Sequence, residues 1–357
     1  MPYPGIRYFE GFETDESLSV WESNDAGFGG SGVERSVDAA RSGVYGMRPA
    51  GALGHGVAQS CLWTPTLTII VGFAFRAQIA AGGDPAILGF HVSGGGNPQC
   101  AIVLSAQRSI GFVGGGVTIG YTERMLELDA WYYIELLAHL STSPNGTFIL
   151  RINGDEAARF EGVTTGVGSI FGGINQMFMG RGGGFPAETS EFHFDDIYVR
   201  DADEGGFLGD VEVVGVELED DYTIQWERNS LAKNYLTVIE NTPDEDTTYV
   251  ETPADSVDPI KDLYEVGDQA YEGTIYAVQL VSRGRKTSTH LWHLRNVVHV
   301  SGLEDRGPDH AMAYPLYETY PPDVFHTQPN GADWDTAAFN AMKVGIEAEP
   351  FTNTPEP

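Results

Sequence analysis

Carboxylates four residues apart on an extended chain project from one face and can act as the acid and base of a hydrolysis. Glu191 and Asp195 have that spacing within EFHFDDIYVR, with His193 between them. The competing role is plainer: Phe192, Phe194, Ile197 and Val199 give the stretch an apolar face, so the three polar residues would be the solvent face of a β-strand. Asp195 and Asp196 also offer oxygens to a hard cation. Calcium needs six to eight oxygens, and the D-x-[DN]-x-[DN]-G loop is absent here and at Asp244, Glu245 and Asp246. Asp195 and Asp196 are the candidates for calcium, the one cofactor the sequence leaves open, with a turn or capped strand end as the alternative.

Other reactive side chains fall short of a site. His293 and His299 lie an even number of residues apart and can share a strand face, whereas His290 points the other way. No carboxylate or thiol is spaced to complete a metal site with them. Cys61 and Cys100 are the two cysteines, and they read as separate buried thiols rather than a disulfide framework. No Ser/His/Asp order or G-x-S-x-G elbow stands out, and the glycine-rich RSGVYG and MGRGGGFP lack the phosphate-loop pattern. No catalytic, cofactor-binding or metal residue is assigned, and the expectation is a non-enzyme.

The elements that would hold these residues are strands. Glycine supplies 45 of 357 residues, well above the usual roughly 7%, and short apolar runs alternate with turn signals. That pattern favours an all-β chain. TLTIIVGFAFRAQI is β-branched and apolar enough for a central strand. Trp131–Leu140 and Thr147–Ile152 form a hairpin about SPNG, where Asn145-Gly146 is a strong turn pair. In its first strand Trp131, Tyr133 and Glu135 share one face, and Tyr132, Ile134 and Leu136 the other, as expected inside a two-sheet sandwich. After Arg200 the composition turns to DADEGGFLGD, which reads as a linker, and the boundary is placed there: one domain over 1–202 and a second β domain over 203–357.

The net charge of −31, from 51 acidic and 20 basic residues, repels nucleic acid and anionic membrane. Asp201–Ala270 alone holds 20 acidic residues against three basic ones. No apolar run approaches the roughly 20 residues of a membrane span. MPYPGIRYFE lacks the basic start and apolar core of a secretory signal, so synthesis in a cytoplasm is expected.

W-x-x-I-E-L at Trp131 and N-G-T-F-x-L-R-I-N-G at Asn145 resemble the laminin-G/concanavalin A-like jelly-roll family. The resemblance covers about residues 1–200. It implies that YFEGFET and FHFDDIYV are the first and last strands and pair with each other. Glycosidases of this fold carry E-x-D-x-x-E or E-x-D-x-E, and the Glu191 stretch departs from it at the middle and last positions. Carbohydrate binding by such folds uses exposed aromatics and loop carboxylates, which makes Trp21, Tyr45, Trp63 and Tyr121 the candidate glycan contacts. A core position is the alternative for each.

A second resemblance, to structural proteins of tailed bacteriophages and prophages, rests on residues spread over most of the chain. They are Asp195, Asp196, Gly209 and Asp210, then Lys261, Asp262, Leu263 and Tyr264, then Trp334, Phe339, Asn340, Gly345 and Ile346. It implies a jelly roll followed by a second β-sandwich. The implied role is a non-enzymatic virion component on tail, fibre or capsid, partnered by other virion proteins and reaching host surface glycans. Virion symmetry implies a homo-oligomer, with a trimer the first expectation. The alternative is a free carbohydrate-binding module or glycan hydrolase.

Overall fold

A computed structural model describes residues 5–13, 33–49, 57–59, 64–79, 84–91, 99–166, 173–180, 191–202, 205–229, 232–238, 246–253, 258–287 and 292–350. The chain is all-β and falls into two compact units, Gly5–Gly215 and a second from Val216 onward.

The first unit is a sandwich of two antiparallel sheets. Its strands are β1 (Ile6–Glu10), β2 (Val33–Ser36), β3 (Gly46–Pro49), β4 (Val57–Gln59), β5 (Thr68–Ile79), β6 (Ala86–His91) and β7 (Cys100–Leu104). They continue as β8 (Ser109–Gly114), β9 (Val117–Met125), β10 (Tyr132–His139), β11 (Gly146–Ile152), β12 (Asp155–Val163), β13 (Gln176–Gly180) and β14 (Glu191–Asp201). The larger sheet runs β12-β11-β10-β5-β14-β3-β2, with β1 also on β14, and the smaller runs β4-β13-β6-β7-β8-β9. Between them lies a core that includes Phe73, Phe75, Phe90, Phe112, Phe148 and Phe194. Each such side chain contributes about 1.5–3 kcal/mol when fully buried.

The first and last strands pair as the jelly-roll resemblance implies, with Phe9 opposite Tyr198 and Glu10 opposite Ile197. The hairpin about SPNG forms with Leu137 opposite Ile149. In β14 the alternation is not continuous. Phe194 pairs with Phe75 and Tyr198 with Gly72, so β14 carries an extra residue across Asp195–Tyr198. Asp196 absorbs it in the left-handed region at φ 50°, which an aspartate tolerates better than most residues. This bulge returns Ile197 and Val199 to the core face after Phe192 and Phe194.

The unit boundary falls later than position 203. Residues 205–213 are bonded to the first unit's strands, because their N–H groups find acceptors on β10 and β14 and their carbonyls find arginines. The polar residues of β14 are likewise not a solvent face: His193, Asp195 and Asp196 are buried. The strand is central in its sheet, and other chain covers its outer side.

The second unit is built on a six-stranded antiparallel sheet. Its main path orders Leu218–Thr223, Ile260–Val266, Lys343–Pro350, Trp292–Val300 and Leu303–Arg306. Val266, Val298, Val300 and Val344 pack with Phe325, Trp334 and Phe339. Phe339 rides on the short helix Thr336–Asn340, which is capped by the Asp335 side chain.

Candidate functional site

Several titratable side chains of the first unit (Tyr133, Glu135, His193, Asp195 and Tyr198, all buried) gather on the outer face of β10, β5 and β14, in rows fixed by register. In one row Gly72 stands between Glu135 and Tyr198. The glycine is required, since a Cβ there would fall inside the Tyr198 ring. The ring lies across it and donates its hydroxyl to Glu135 Oε1 at 2.5 Å. In the next row Ala74 separates Tyr133 from Asp195, and the Tyr133 hydroxyl donates to the Asp196 carbonyl at 3.1 Å. Beyond it Arg76 pairs with His193 and lies over the Trp131 ring.

Two segments close this face. Residues 205–213 form a strap: Gly209 N–H donates to Glu135 Oε1 at 2.8 Å, and Leu208 N–H to the Tyr198 oxygen at 3.2 Å. Phe207 lies under the Arg151 guanidinium, 4.3 Å from ring centre to Cζ. The turn at 41–42 covers Asp195 and Asp196. As a result Glu135 is fully buried and Tyr198 is 1% exposed. Burial, then the Glu135 charge, pushes the Tyr198 hydroxyl up. Desolvation holds Tyr133 well above the tyrosine range and lowers His193, the latter helped by Arg76. An acid and a tyrosine sharing a proton have the chemistry of a general acid–base pair, but the strap occupies the place where a substrate would lie.

The aspartate pair is filled with donors. Asp195 Oδ2 accepts the N–H groups of Arg41 at 2.7 Å and Ser42 at 3.1 Å, and Oδ1 accepts Asp196 N–H at 2.9 Å. Asp196 Oδ1 accepts the Ser42 hydroxyl at 2.7 Å and Val213 N–H at 2.8 Å. Arg41 completes the set, reaching Asp196 Oδ2 at 3.1 Å together with Asp210 and the Val211 carbonyl. Burial raises both carboxyls, and at Asp195 the charge of Asp196 adds to it. Oxygens committed to N–H, O–H and a guanidinium do not fit calcium. Among the described residues no group of three or more His, Cys, Asp or Glu is placed to hold a metal ion.

Among the described residues the histidines and cysteines form no cluster. His293 and His299 sit on Trp292–Val300 opposite Ala311 and Lys343, while His290 and Cys61 lie outside the described residues. Cys100 is a buried thiol, raised by desolvation. Glu191 is partly exposed and pairs with Arg48.

Of the aromatic candidates, Trp21 and Trp63 lie outside the described residues. Tyr45 is partly buried with the Arg35 guanidinium 4.1 Å over its ring. Tyr121 differs. It lies on β9, the edge of the smaller sheet, opposite Gly111 of β8, which in turn faces Val103 of β7. A Cβ at Gly111 would stand 2.6 Å from the Tyr121 ring and 2.9 Å from Val103. The missing side chain therefore lets the ring lie down on the sheet. The Tyr121 hydroxyl donates to Asp84 Oδ2 at 2.8 Å, a bond that raises its pKa, and the residue stays 43% exposed. Beside it Ala86, Ala101, Val103 and Phe178 form a small buried cluster on the same outer face. An open aromatic face beside a carboxylate can stack on the C–H face of a sugar ring and accept its hydroxyls.

Sequence reasoning named Tyr121 but not Asp84, Glu135 or Tyr198. Asp84 follows GG in a turn-like stretch with no pattern of its own, and its link to Tyr121 spans 37 residues. Glu135 had a visible sign: a lone carboxylate in an otherwise apolar strand needs donors wherever it is buried.

No known protein family and no curated protein matches the sequence. Solved structures do show likeness at low scores. An endo-β-1,4-glucuronan lyase from the fungus Trichoderma reesei is 13% identical, covering 55% of this chain and 95% of that one, with a TM-score of 0.40. A cellulose induced protein, Cip1, is 18% identical over 54% of this chain and 96% of its own, with a TM-score of 0.38. A Trypanosoma rangeli sialidase is 17% identical over 58% of this chain at a TM-score of 0.39, and only 31% of that longer enzyme is covered.

Proposed function

We propose that this is a non-catalytic glycan-binding protein whose binding surface is the outer face of the smaller sheet of the first unit. The observation that carries the reading is Tyr121, a ring laid flat over Gly111, open to solvent and fixed at its hydroxyl by Asp84. Fixing the ring removes rotamer freedom before binding, so less entropy is lost when a sugar stacks on it. The non-catalytic part rests on the opposite sheet, where the acid–tyrosine pair of Glu135 and Tyr198 is covered by residues 205–213. The test is a panel of immobilised glycans probed with the full chain. Binding to at least one glycan without turnover is expected; cleavage of a bound glycan would overturn the non-catalytic reading.

The setting we infer is a tailed-phage virion, with the second unit docking on the particle. What supports this is the sequence resemblance, and its residues have structural work in both units. Asp195, Asp196 and Asp210 meet around Arg41, and Gly209 at φ 89° turns the strap onto Glu135. Asp262 gathers the N–H groups of Gln225 and Trp226 and the Asn234 amide, while Trp334 donates to the Phe325 carbonyl. Co-sedimentation of the chain with phage particles at a fixed copy number is the expected result. Binding to glycan with no particle association would assign it to the free-module alternative.

A further inference from the structure

Buried polar atoms in folded chains are paired, and each exception asks for a reason. Among the described residues, two of the exceptions face each other on the larger sheet of the first unit. Glu135 is fully buried, and its Oε1 accepts both the Tyr198 hydroxyl and Gly209 N–H, whereas Oε2 is buried with no partner. Opposite it in register on β11 stands Arg151, whose Nε is also buried with no partner. One atom accepts and the other donates, on residues whose Cβ atoms lie about 5 Å apart in such a pair. A hydroxyl does both. A single hydroxyl group between the two side chains would satisfy each of them.

The segment that covers this place is not built like the rest of the unit. Residues 205–213 form no strand. None of 205–210 is fully buried, and its apolar side chains, Phe207 and Leu208, stay outside the sandwich core. Side chains of the sheet hold it down. Glu135, Tyr198 and Asp196 accept the N–H groups of Gly209, Leu208 and Val213, and Arg200 and Arg41 reach the carbonyls of Gly206 and Val211. Phe207 adds its ring beneath the Arg151 guanidinium. Lifting the segment would break no rung of the sheet and expose little of the core, which is the profile of a local opening.

We propose that residues 205–213 are a lid, and that lifting it opens a second binding site, for the hydroxyl groups of a sugar, on the face of Glu135, Tyr198 and Arg151. With the lid down, Gly209 and Leu208 hold the places of two such hydroxyls, on Glu135 Oε1 and on the Tyr198 oxygen. With it up, a carboxylate, a phenol and a guanidinium stand side by side. Gly72 lies between Glu135 and Tyr198 and keeps that floor flat. A few convergent polar groups of this kind fix the orientation of a polyhydroxylated ligand. The site binds and makes or breaks no bond. It lies on the opposite sheet from Tyr121 and does not depend on it.

The experiment has two arms, both on the full chain. Hydrogen exchange should show the amides of 205–213 at least about a hundredfold less protected than those of β5 and β10. Phe207→Ala, which removes a half-buried ring and no hydrogen bond, should speed that exchange further and leave β5 and β10 as they were. Exchange of 205–213 only in step with the strands would make the segment part of the cooperative sandwich and overturn the lid. The second arm probes the panel of immobilised glycans in a Tyr121→Ala background, which silences the first surface. Adding Phe207→Ala raises the open fraction, so at least one glycan should bind about tenfold more tightly than to Tyr121→Ala alone. Equal binding by the two variants would mean that solvent alone meets Glu135 and Arg151, and would overturn the site.

Discussion

At the residue scale, the buried aspartates make a prediction whose sign is unusual. Burial raises both carboxyls, and the charge of Asp196 raises Asp195 further. A group whose folded pKa lies above its unfolded value holds more protons folded than unfolded, so stability falls as pH rises between the two. The window opens at the ordinary aspartate value of 3.8 and extends upward. A salt-bridged surface carboxylate has the opposite slope. Denaturant midpoints should therefore decline from weakly acidic to neutral pH, and Asp195→Asn should flatten that decline while lowering stability overall. The loss follows because an amide offers one oxygen where the carboxylate uses two, leaving a buried N–H unpaired at about 1–3 kcal/mol. A variant with the wild-type slope would contradict this account of the pair. The sequence showed two charges interrupting an apolar alternation. It did not show the bulge, because the partners that stabilise φ 50° at Asp196 come from Ser42 and Val213, far away along the chain.

At the element scale, the strands that position the site were legible and the strap was not. The β5 run, the β10–β11 hairpin and the pairing of β1 with β14 follow from β-branched runs, an Asn-Gly turn and alternating phenylalanines, all local or periodic signals. The segment 205–213 has glycine-rich, acidic composition, which marks a linker as readily as a strap. What binds it is long-range: Gly209 to Glu135 and Val213 to Asp196. Gly72→Ala tests that arrangement directly. The added methyl would meet the Tyr198 ring, force it off its rotamer and part it from Glu135. A cost of about 3 kcal/mol or more follows from overpacking combined with a stranded buried carboxylate. The measurement is chemical denaturation, together with faster proteolysis within 205–213 than in wild type. Wild-type stability and cleavage would mean that Tyr198 does not anchor the strap. The acidic stretch of the second unit was similarly ambiguous. It includes Asp262, a fully buried hub whose carboxyl is raised by desolvation.

At the scale of the whole molecule, a net charge of −31 opposes compactness through self-repulsion. Added salt shortens the Debye length from about 10 Å at 0.1 M to about 3 Å at 1 M. Thermal stability should therefore rise across that range, by an amount on the order of 1 kcal/mol, or about 2–4 °C in Tm for domains of this size. A falling Tm would mean that the ion-pair ladder of the second unit, where Arg306 grips Glu347 with two nitrogens, outweighs the repulsion. The central claim is the aromatic surface of the first unit, and one comparison tests it most directly. The best-binding glycan of the panel is titrated against wild type and against Tyr121→Ala, with thermal unfolding followed in parallel. Unfolding within error of wild type is expected, with a loss of affinity of at least about tenfold, or about 1.4 kcal/mol. Equal affinity in the two proteins, or no glycan bound by wild type, would contradict it.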